Sequence, residues 1–254
     1  MVYRLDRGRR FKSLHVFGGT PHDEVYPTAP LLEGSDQRLY GSSQFDQYGG
    51  FGVRTAIFSL NKNGSDYHRL CVLTNLGTLS YNMPELVEGT DGALYGVEVN
   101  NVFKLNKDGS GYQLLHAFTN EIGSTPLMRA SDGKLYGGTD FDFENTGKLY
   151  RINQDGSGFE VIFDFSSTNA VAGMPKGALV EGPDGMLYGV AIGEIFRLNK
   201  DGTGFELLHV FNQGYPYDGL TLGPDGAWYG TTLNGGAFGL GSLFKLSFVS
   251  DTSP

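Results

Sequence analysis

Short segments of alternating apolar and polar residues recur along the chain, each bounded by glycine and acidic residues, and no long stretch carries a helical period. One set reads Leu39-Tyr40-Gly41, Leu94-Tyr95-Gly96, Leu135-Tyr136-Gly137 and Leu187-Tyr188-Gly189, with Trp228-Tyr229-Gly230 as a variant copy. Ahead of each Tyr lies a turn: Ser35-Asp36-Gln37, Thr90-Asp91-Gly92, Ser131-Asp132-Gly133, Pro183-Asp184-Gly185 and Pro224-Asp225-Gly226. Asp-Gly between apolar runs predicts a type I′ hairpin, with positive φ at both central residues. After each Tyr comes a second strand-like set: Ile57-Phe58-Ser59-Leu60, Val102-Phe103-Lys104-Leu105, Leu149-Tyr150-Arg151-Ile152, Ile195-Phe196-Arg197-Leu198 and Leu243-Phe244-Lys245-Leu246. A second turn, such as Asn106-Lys107-Asp108-Gly109-Ser110-Gly111, then leads into a further apolar segment, such as Tyr112–Phe118 or Phe205–Phe211. Each unit predicts four short antiparallel strands joined by hairpins.

Self-similarity at a period of 40 to 55 residues signals a repeat architecture. A four-stranded unit cannot bury both faces alone, so neighbouring units must stack, as the blades of a propeller do. The aromatic column Phe58, Phe103, Tyr150, Phe196 and Phe244 is placed to fill the contact between blades. Repeats near 27–73, 84–118, 126–165, 175–211 and 217–246, the last joined by 2–17, predict an all-β, five-bladed β-propeller of four-stranded antiparallel blades. The whole of 1–254 forms a single domain in this reading, its ring closed by the N-terminal strands so that no sheet edge stays open. The third-strand motif occurs once too often, because Val2–Leu5 and Leu243–Leu246 both carry it. One of the two is therefore an extra edge strand or lies outside the blade.

The phrases Pro216-Tyr217-Asp218-Gly219-Leu220, Asp225-Gly226-Ala227-Trp228-Tyr229-Gly230-Thr231-Thr232 with Gly235-Gly236, and Gly241-Ser242-Leu243-Phe244-Lys245-Leu246 resemble the GloVer tandem repeat. The resemblance covers essentially the whole chain. It implies a bacterial protein of a family often exported and surface-anchored, whose members mostly lack a known activity. These are framework motifs and bring no catalytic residue with them. Blades two and four depart from the pattern in lacking the Gly-Gly loop, and no export signal or anchor segment is expected here.

Glycine, at 39 of 254 residues, is abundant without a collagen period, and the turns account for much of it. A net charge of −9 argues against nucleic-acid or anionic-membrane partners. No apolar run approaches the ~18 residues of a membrane span. Cys71 is the single cysteine, at a strand-four position where other repeats have His, so it reads as a core thiol. Met1 leads directly into a strand, which fits a cytoplasmic protein or an exported one with its leader trimmed. A monomer is expected.

Turns on one end of the blades are short and repetitive, whereas connections at the other end differ from copy to copy, and irregular loops on a rigid scaffold commonly carry function. The Tyr-to-aromatic spacing is 18 residues in blade one, 14 in blade three and 15 in blade five, but only 8 in blades two and four. His22, beside Asp23 and Glu24, could act as general base or metal ligand, opposed by Asp46 and Arg54 across the blade-one loop. Phe45, Asp46, Tyr48 and Arg54 combine ring faces and charges suited to a polyhydroxylated ligand. Tyr81, Tyr215, Tyr217 and Asp218 extend that theme, while Glu98, Asn100 and Glu194 are placed on short loops near the axis. Phe141 lies in the run 140–144, where acids alternate with aromatics; a packed, solvated strand competes there with a Ca²⁺ site. His15, His116 and His209 share one repeat position and read as structural, as do Glu33, Glu88 and Glu181. No zinc spacing, phosphate loop, dinucleotide fingerprint or serine elbow is present, and no cofactor is implied. Binding of a small polar or carbohydrate ligand leads, ahead of a propeller enzyme working by acid–base chemistry and of a protein-contact scaffold.

Overall fold

The computed structural model describes residues 1–19, 24–27, 29–46, 53–73, 84–98, 100–119, 123, 125–139, 146–167, 173–216 and 218–247. The chain divides into two compact units, Met1–Ala117 and Phe118–Pro254. The first opens with a hairpin of β1 (Val2–Leu5) and β2 (Phe11–His15). Blade one follows as β3 (Glu24–Val25), β4 (Leu32–Glu33), β5 (Arg38–Asp46), β6 (Val53–Asn61) and β7 (His68–Leu73), with β3 and β4 both pairing with β5. Blade two is the meander β8 (Val87–Glu88), β9 (Leu94–Glu98), β10 (Asn101–Leu105) and β11 (Gln113–Ala117).

In the second unit, blade three is β12 (Met128–Arg129), β13 (Leu135–Gly138), β14 (Lys148–Ile152) and β15 (Glu160–Asp164), followed by a 3-10 turn at Phe165–Ser167. Blade four is β16 (Pro175–Glu181), β17 (Leu187–Ala191), β18 (Glu194–Leu198) and β19 (Glu206–Val210). Blade five has three strands, β20 (Thr221–Leu222), β21 (Trp228–Thr232) and β22 (Ser242–Leu246). The strands pair antiparallel throughout, as expected. A register shift falls just before the third-strand aromatic in every third–fourth strand pair, for example between Val102 and Phe103 and between Ile195 and Phe196.

Ring closure by the N-terminal strands is not seen: among the described residues β1 and β2 pair only with each other, and β22 only with β21. The hairpin packs on blade one, where Val2, Leu14 and Phe17 meet Phe58, Leu60 and Tyr67.

The recurrent Leu-Tyr-Gly now has a physical cause. In each blade the Tyr hydroxyl donates to the turn Asp Oδ2, at 2.6 Å for Tyr40–Asp36, 2.9 Å for Tyr95–Asp91, and 2.8 Å for Tyr136–Asp132, Tyr188–Asp184 and Tyr229–Asp225. The other oxygen of the same Asp accepts the backbone N–H two residues on, as in Lys134 N–H to Asp132 at 3.0 Å. One carboxylate thus shapes the turn and ties it to the strand that follows. The Gly after each Tyr leaves room for the third-strand aromatic. A Cβ on Gly96 would sit 2.8 Å from the Phe103 ring, and one on Gly189 would collide with Phe196.

The turns themselves differ from the type I′ expectation. Gly92 N–H donates to Gly89 O and Gly89 N–H to Ala93 O, and only Gly92 takes positive φ, at 78°. This is a three-residue loop, a type I turn followed by one left-handed residue. A two-residue type I′ turn would bring the strands together too early for the Asp to reach both the backbone and the Tyr. In blade one the left-handed position is held by Gln37, at φ 65°.

Adjacent blades are clasped by side chains. Ser35 in the blade-one turn donates its N–H and hydroxyl to Glu88 of blade two, and Lys107 reaches both Ser35 and Glu88. Ser131, Glu181 and Lys200 repeat the arrangement between blades three and four. The aromatic column packs as expected, with Phe17 on Phe58 at 5.3 Å, Phe165 on Phe196 at 5.4 Å and Phe211 on Phe244 at 5.1 Å between ring centroids.

Two stability predictions follow from these contacts. Tyr150 carries a fully buried hydroxyl without a hydrogen-bond partner where other blades have Phe, and burial pushes the phenol pKa up. Tyr150→Phe should leave stability unchanged or raise it in denaturant titration, whereas Tyr136→Phe, which strips Asp132 of a donor, should cost about 1 kcal/mol. Gln37→Gly should stabilise the protein by up to about 1 kcal/mol, because the left-handed conformation strains any side chain; a loss of stability would contradict the turn assignment.

Candidate functional site

The position three residues beyond each Leu-Tyr-Gly Tyr has a framework task in two blades. Thr139 in blade three accepts the Lys148 N–H at 3.1 Å, and Thr232 in blade five accepts the Ser242 N–H at 2.9 Å. Blade two places Glu98 at this position. Glu98 is only 2% exposed, and one of its carboxyl oxygens, Oε2, has no hydrogen-bond partner among the described residues. Burial raises its pKa to about 7, opposed only by a hydrogen bond from Thr55. Thr55 itself is buried, on β6 of blade one. Cys71, on β7, lies close enough for the Glu98 charge to add to burial in raising its thiol pKa to about 11. On the face that Thr55 and Cys71 share, the Ser42 hydroxyl donates to the Pro84 carbonyl at 2.8 Å, while Ser43 is fully buried on the opposite face, its hydroxyl without a partner among the described residues. Strands β6, β7 and β9 thus bring an uncompensated carboxyl, a hydroxyl and a thiol together.

Such a group is costly to bury and adds nothing to the framework that Thr or Ser does not supply. It can accept a hydrogen bond from an incoming donor, or exchange a proton near neutral pH.

The other residues singled out by the sequence fall in several places. Glu98 and Glu194 lie at strand ends rather than on loops, Glu98 closing β9 and the fully buried Glu194 opening β18. The loop expectation failed because the β9–β10 and β17–β18 connections are so short that pairing runs up to Glu98↔Asn101 and Ala191↔Glu194. Asn100, in the β9–β10 turn, keeps a buried Oδ1 without a partner. Backbone pairing sets Glu24, Phe45 and Arg54 side by side across β3, β5 and β6, with Asp46 opposite Val53. Tyr215 is exposed; its N–H donates to Asn234 Oδ1 at 2.8 Å and its carbonyl accepts from Leu233. Asp218, also exposed, accepts the Gly219 N–H. His22, Asp23, Tyr48, Tyr81, Phe141 and Tyr217 lie outside the described residues.

Structural readings made from recurrence fit their places. Glu88 and Glu181 hold the blade clasps, and Glu33 pairs with Lys62. His15 stacks on Tyr67 with centroids 3.7 Å apart, and His209 meets Phe211 edge-on at 4.6 Å. Thr55 and Ser43 escaped sequence reasoning. Aligning the second strands three residues beyond each Tyr would have shown Ser43, Glu98, Thr139, Ala191 and Thr232 in one column, with Glu98 its only charged member.

Among the described residues no group of three or more His, Cys, Asp or Glu is placed to hold a metal ion, and no helix is long and apolar enough to cross a membrane.

Comparison with solved structures places the fold among propeller-like proteins. A nidogen/laminin complex chain aligns over 91% of this chain and 80% of its own, with 15% identity and a TM-score of 0.58. A gluconolactonase from Xanthomonas campestris aligns over 89% and 74%, with 14% identity and a TM-score of 0.54. An oligogalacturonate lyase in complex with manganese aligns over 86% and 65%, with 14% identity and a TM-score of 0.53. At these identities the likeness concerns the fold alone. No curated protein sequence matches. The Gloeobacter/Verrucomicrobia repeat, by contrast, matches residues 99–253, more than half of the sequence, and the chain belongs to that family.

Proposed function

We propose that the protein binds a small polar ligand, of carbohydrate or other polyol type, through the Glu98 site of the first unit. The observation that carries this reading is a buried carboxyl with an unsatisfied oxygen at a position where two other blades keep a framework threonine. A ligand hydroxyl donating to Oε2 would satisfy it, and Thr55 would hold the carboxyl in place. In the same reading the five Leu-Tyr-Gly repeats are five blades of one propeller, and its asymmetric connections are the binding surface.

A second reading is favoured by one observation: a carboxyl held near pH 7 suits proton transfer. Glu98 would then act as general acid or base, with the Glu24, Asp46 and Arg54 segments and His22 and Asp23 as further candidates. That two of the similar folds are those of a gluconolactonase and an oligogalacturonate lyase makes lactones and acidic sugars the first substrates to try.

Calorimetric titration with a panel of neutral mono- and oligosaccharides tests the proposal. Glu98→Gln and Thr55→Val should weaken the best ligand at least about tenfold, a loss of about 1.4 kcal/mol. Unchanged affinity in Glu98→Gln would remove the site from the function. Product formation that disappears with Glu98→Gln would support the enzymatic reading.

Glu98 also predicts a pH dependence. Its folded-state pKa of about 7 lies above its ordinary value of 4.5, so the native state keeps a proton that the unfolded chain has lost. Its contribution to stability should therefore fall as pH rises from about 4.5 to about 7 and stay flat above. Glu98→Gln should abolish that slope in denaturant titrations. A slope that persists in the variant would assign it to another group.

A further inference from the structure

Two acceptor oxygens in one hairpin of the first unit go without a donor. The β9–β10 hairpin closes on the pair Glu98 and Asn101 and turns through Asn100. Glu98 Oε2 and Asn100 Oδ1 are both buried, and neither has a hydrogen-bond partner among the described residues. Residues at the two ends of a β-turn lie within about 7 Å at Cα, so one small ligand can meet both side chains. In blades three and five the position of Glu98 holds Thr139 and Thr232, which accept the N–H that opens the next strand. The acceptor pair therefore belongs to blade two and not to the repeat.

The groups around Glu98 do not supply the missing donors. Thr55 already gives its hydroxyl proton to the carboxyl, and the Cys71 sulfur accepts the Ile57 N–H. Ser43, with the other unpartnered hydroxyl of blade one, lies on the opposite face from Thr55. Among the described residues no Lys, Arg or His pairs with Glu98, whose proton is held by burial and opposed by Thr55 alone. A ligand hydroxyl donates one hydrogen bond and brings no charge. A primary ammonium donates three and brings a full positive charge, and a buried carboxylate is tolerated when it is paired and hydrogen-bonded.

We infer that the Glu98 site selects a ligand bearing a primary ammonium beside its hydroxyls, an amino sugar or amino polyol, with N–H groups donated to Glu98 Oε2 and Asn100 Oδ1. The inference rests on the reading of Glu98 as a ligand site and narrows the ligand's chemical class. The chain's net charge of −9 draws a cation toward the protein, and added salt should weaken that attraction. Cys71 and Asn100 are only half-buried, which leaves a small ligand a way in.

Calorimetric titration of the full chain with glucosamine, N-acetylglucosamine and glucose, one pH unit below the Glu98 midpoint of about 7, tests this. The three sugars differ at a single substituent, which is charged in glucosamine alone. Glucosamine should bind at least about tenfold more tightly than either neutral sugar. Glu98 is protonated in the free protein at this pH and ionised against the ammonium. Repeating the titrations in two buffers of different ionisation enthalpy should therefore count close to one proton released per glucosamine, and far less for the neutral sugars. Glu98→Gln should bring glucosamine down to the level of glucose. The proton count needs no variant, so it decides the matter even if Glu98→Gln lowers the melting temperature. Neutral sugars that bind as tightly as glucosamine and are lost in Glu98→Gln would overturn the ammonium and leave the ligand site standing. Glucosamine bound without proton release would overturn it likewise. No binding by any of the three, or glucosamine bound at full strength by Glu98→Gln, would overturn the inference and the site together.

Discussion

The hydrogen bond from the Leu-Tyr-Gly tyrosine to the turn aspartate is the contact on which the rest of the structure depends. It recurs in all five Leu-Tyr-Gly repeats at 2.6 to 2.9 Å. An Asp alone would shape a turn and a Tyr alone would fill a core; joined, they fix where the second strand begins relative to the first. That register sets the Gly opposite the third-strand aromatic, and the aromatic in turn meets the residue arriving from the neighbouring fourth strand. Lys245 and the Tyr229 hydroxyl, with the Ala227 N–H, hold Asp225 at a pKa of about 2, so in blade five the pin stays ionised through all but strongly acid conditions.

The Ser–Glu–Lys clasps build on those same turns. Ser35 and Ser131 sit immediately before the pinned Asp, so the turn that orders one blade also presents donors to the carboxylate of the next. Where the turn residue is Pro, as at Pro183 and Pro224, the N–H is missing and no such clasp can form. Exposed charge pairs of this kind are individually weak; here burial of Glu88 and Glu181 beside Lys107 and Lys200 makes them directional rather than decorative.

Strand order, the four-stranded meander and the aromatic column were legible in the sequence because each rests on local spacing. The turn type was not, since Asp-Gly serves two-residue and three-residue loops alike; what selects the longer loop is the reach of Asp132 to both Lys134 and Tyr136, a pairing that spacing alone does not announce. The hairpin carries the expected third- and fourth-strand motifs and packs on Phe58 of blade one through Val2 and Phe17. The candidate site was half legible. Glu98 was named, yet its partner Thr55 comes from another blade and carries no motif. Function in a repeat protein is most visible where one copy breaks a rule the others keep, and Glu98 breaks one at the cost of a buried, unsatisfied oxygen.

The account turns on whether that carboxyl is protonated near neutrality inside the folded protein. Side-chain carboxyl ¹³C shifts of the folded protein, followed across pH with Glu98→Gln identifying the resonance, measure it directly. The account predicts a midpoint near 7, moved downward when a hydroxyl-bearing ligand occupies the site and stabilises the ionised form. A midpoint at the ordinary glutamate value of about 4.5, unmoved by any ligand, would mean that Glu98 is solvated and the site proposed around it does not exist.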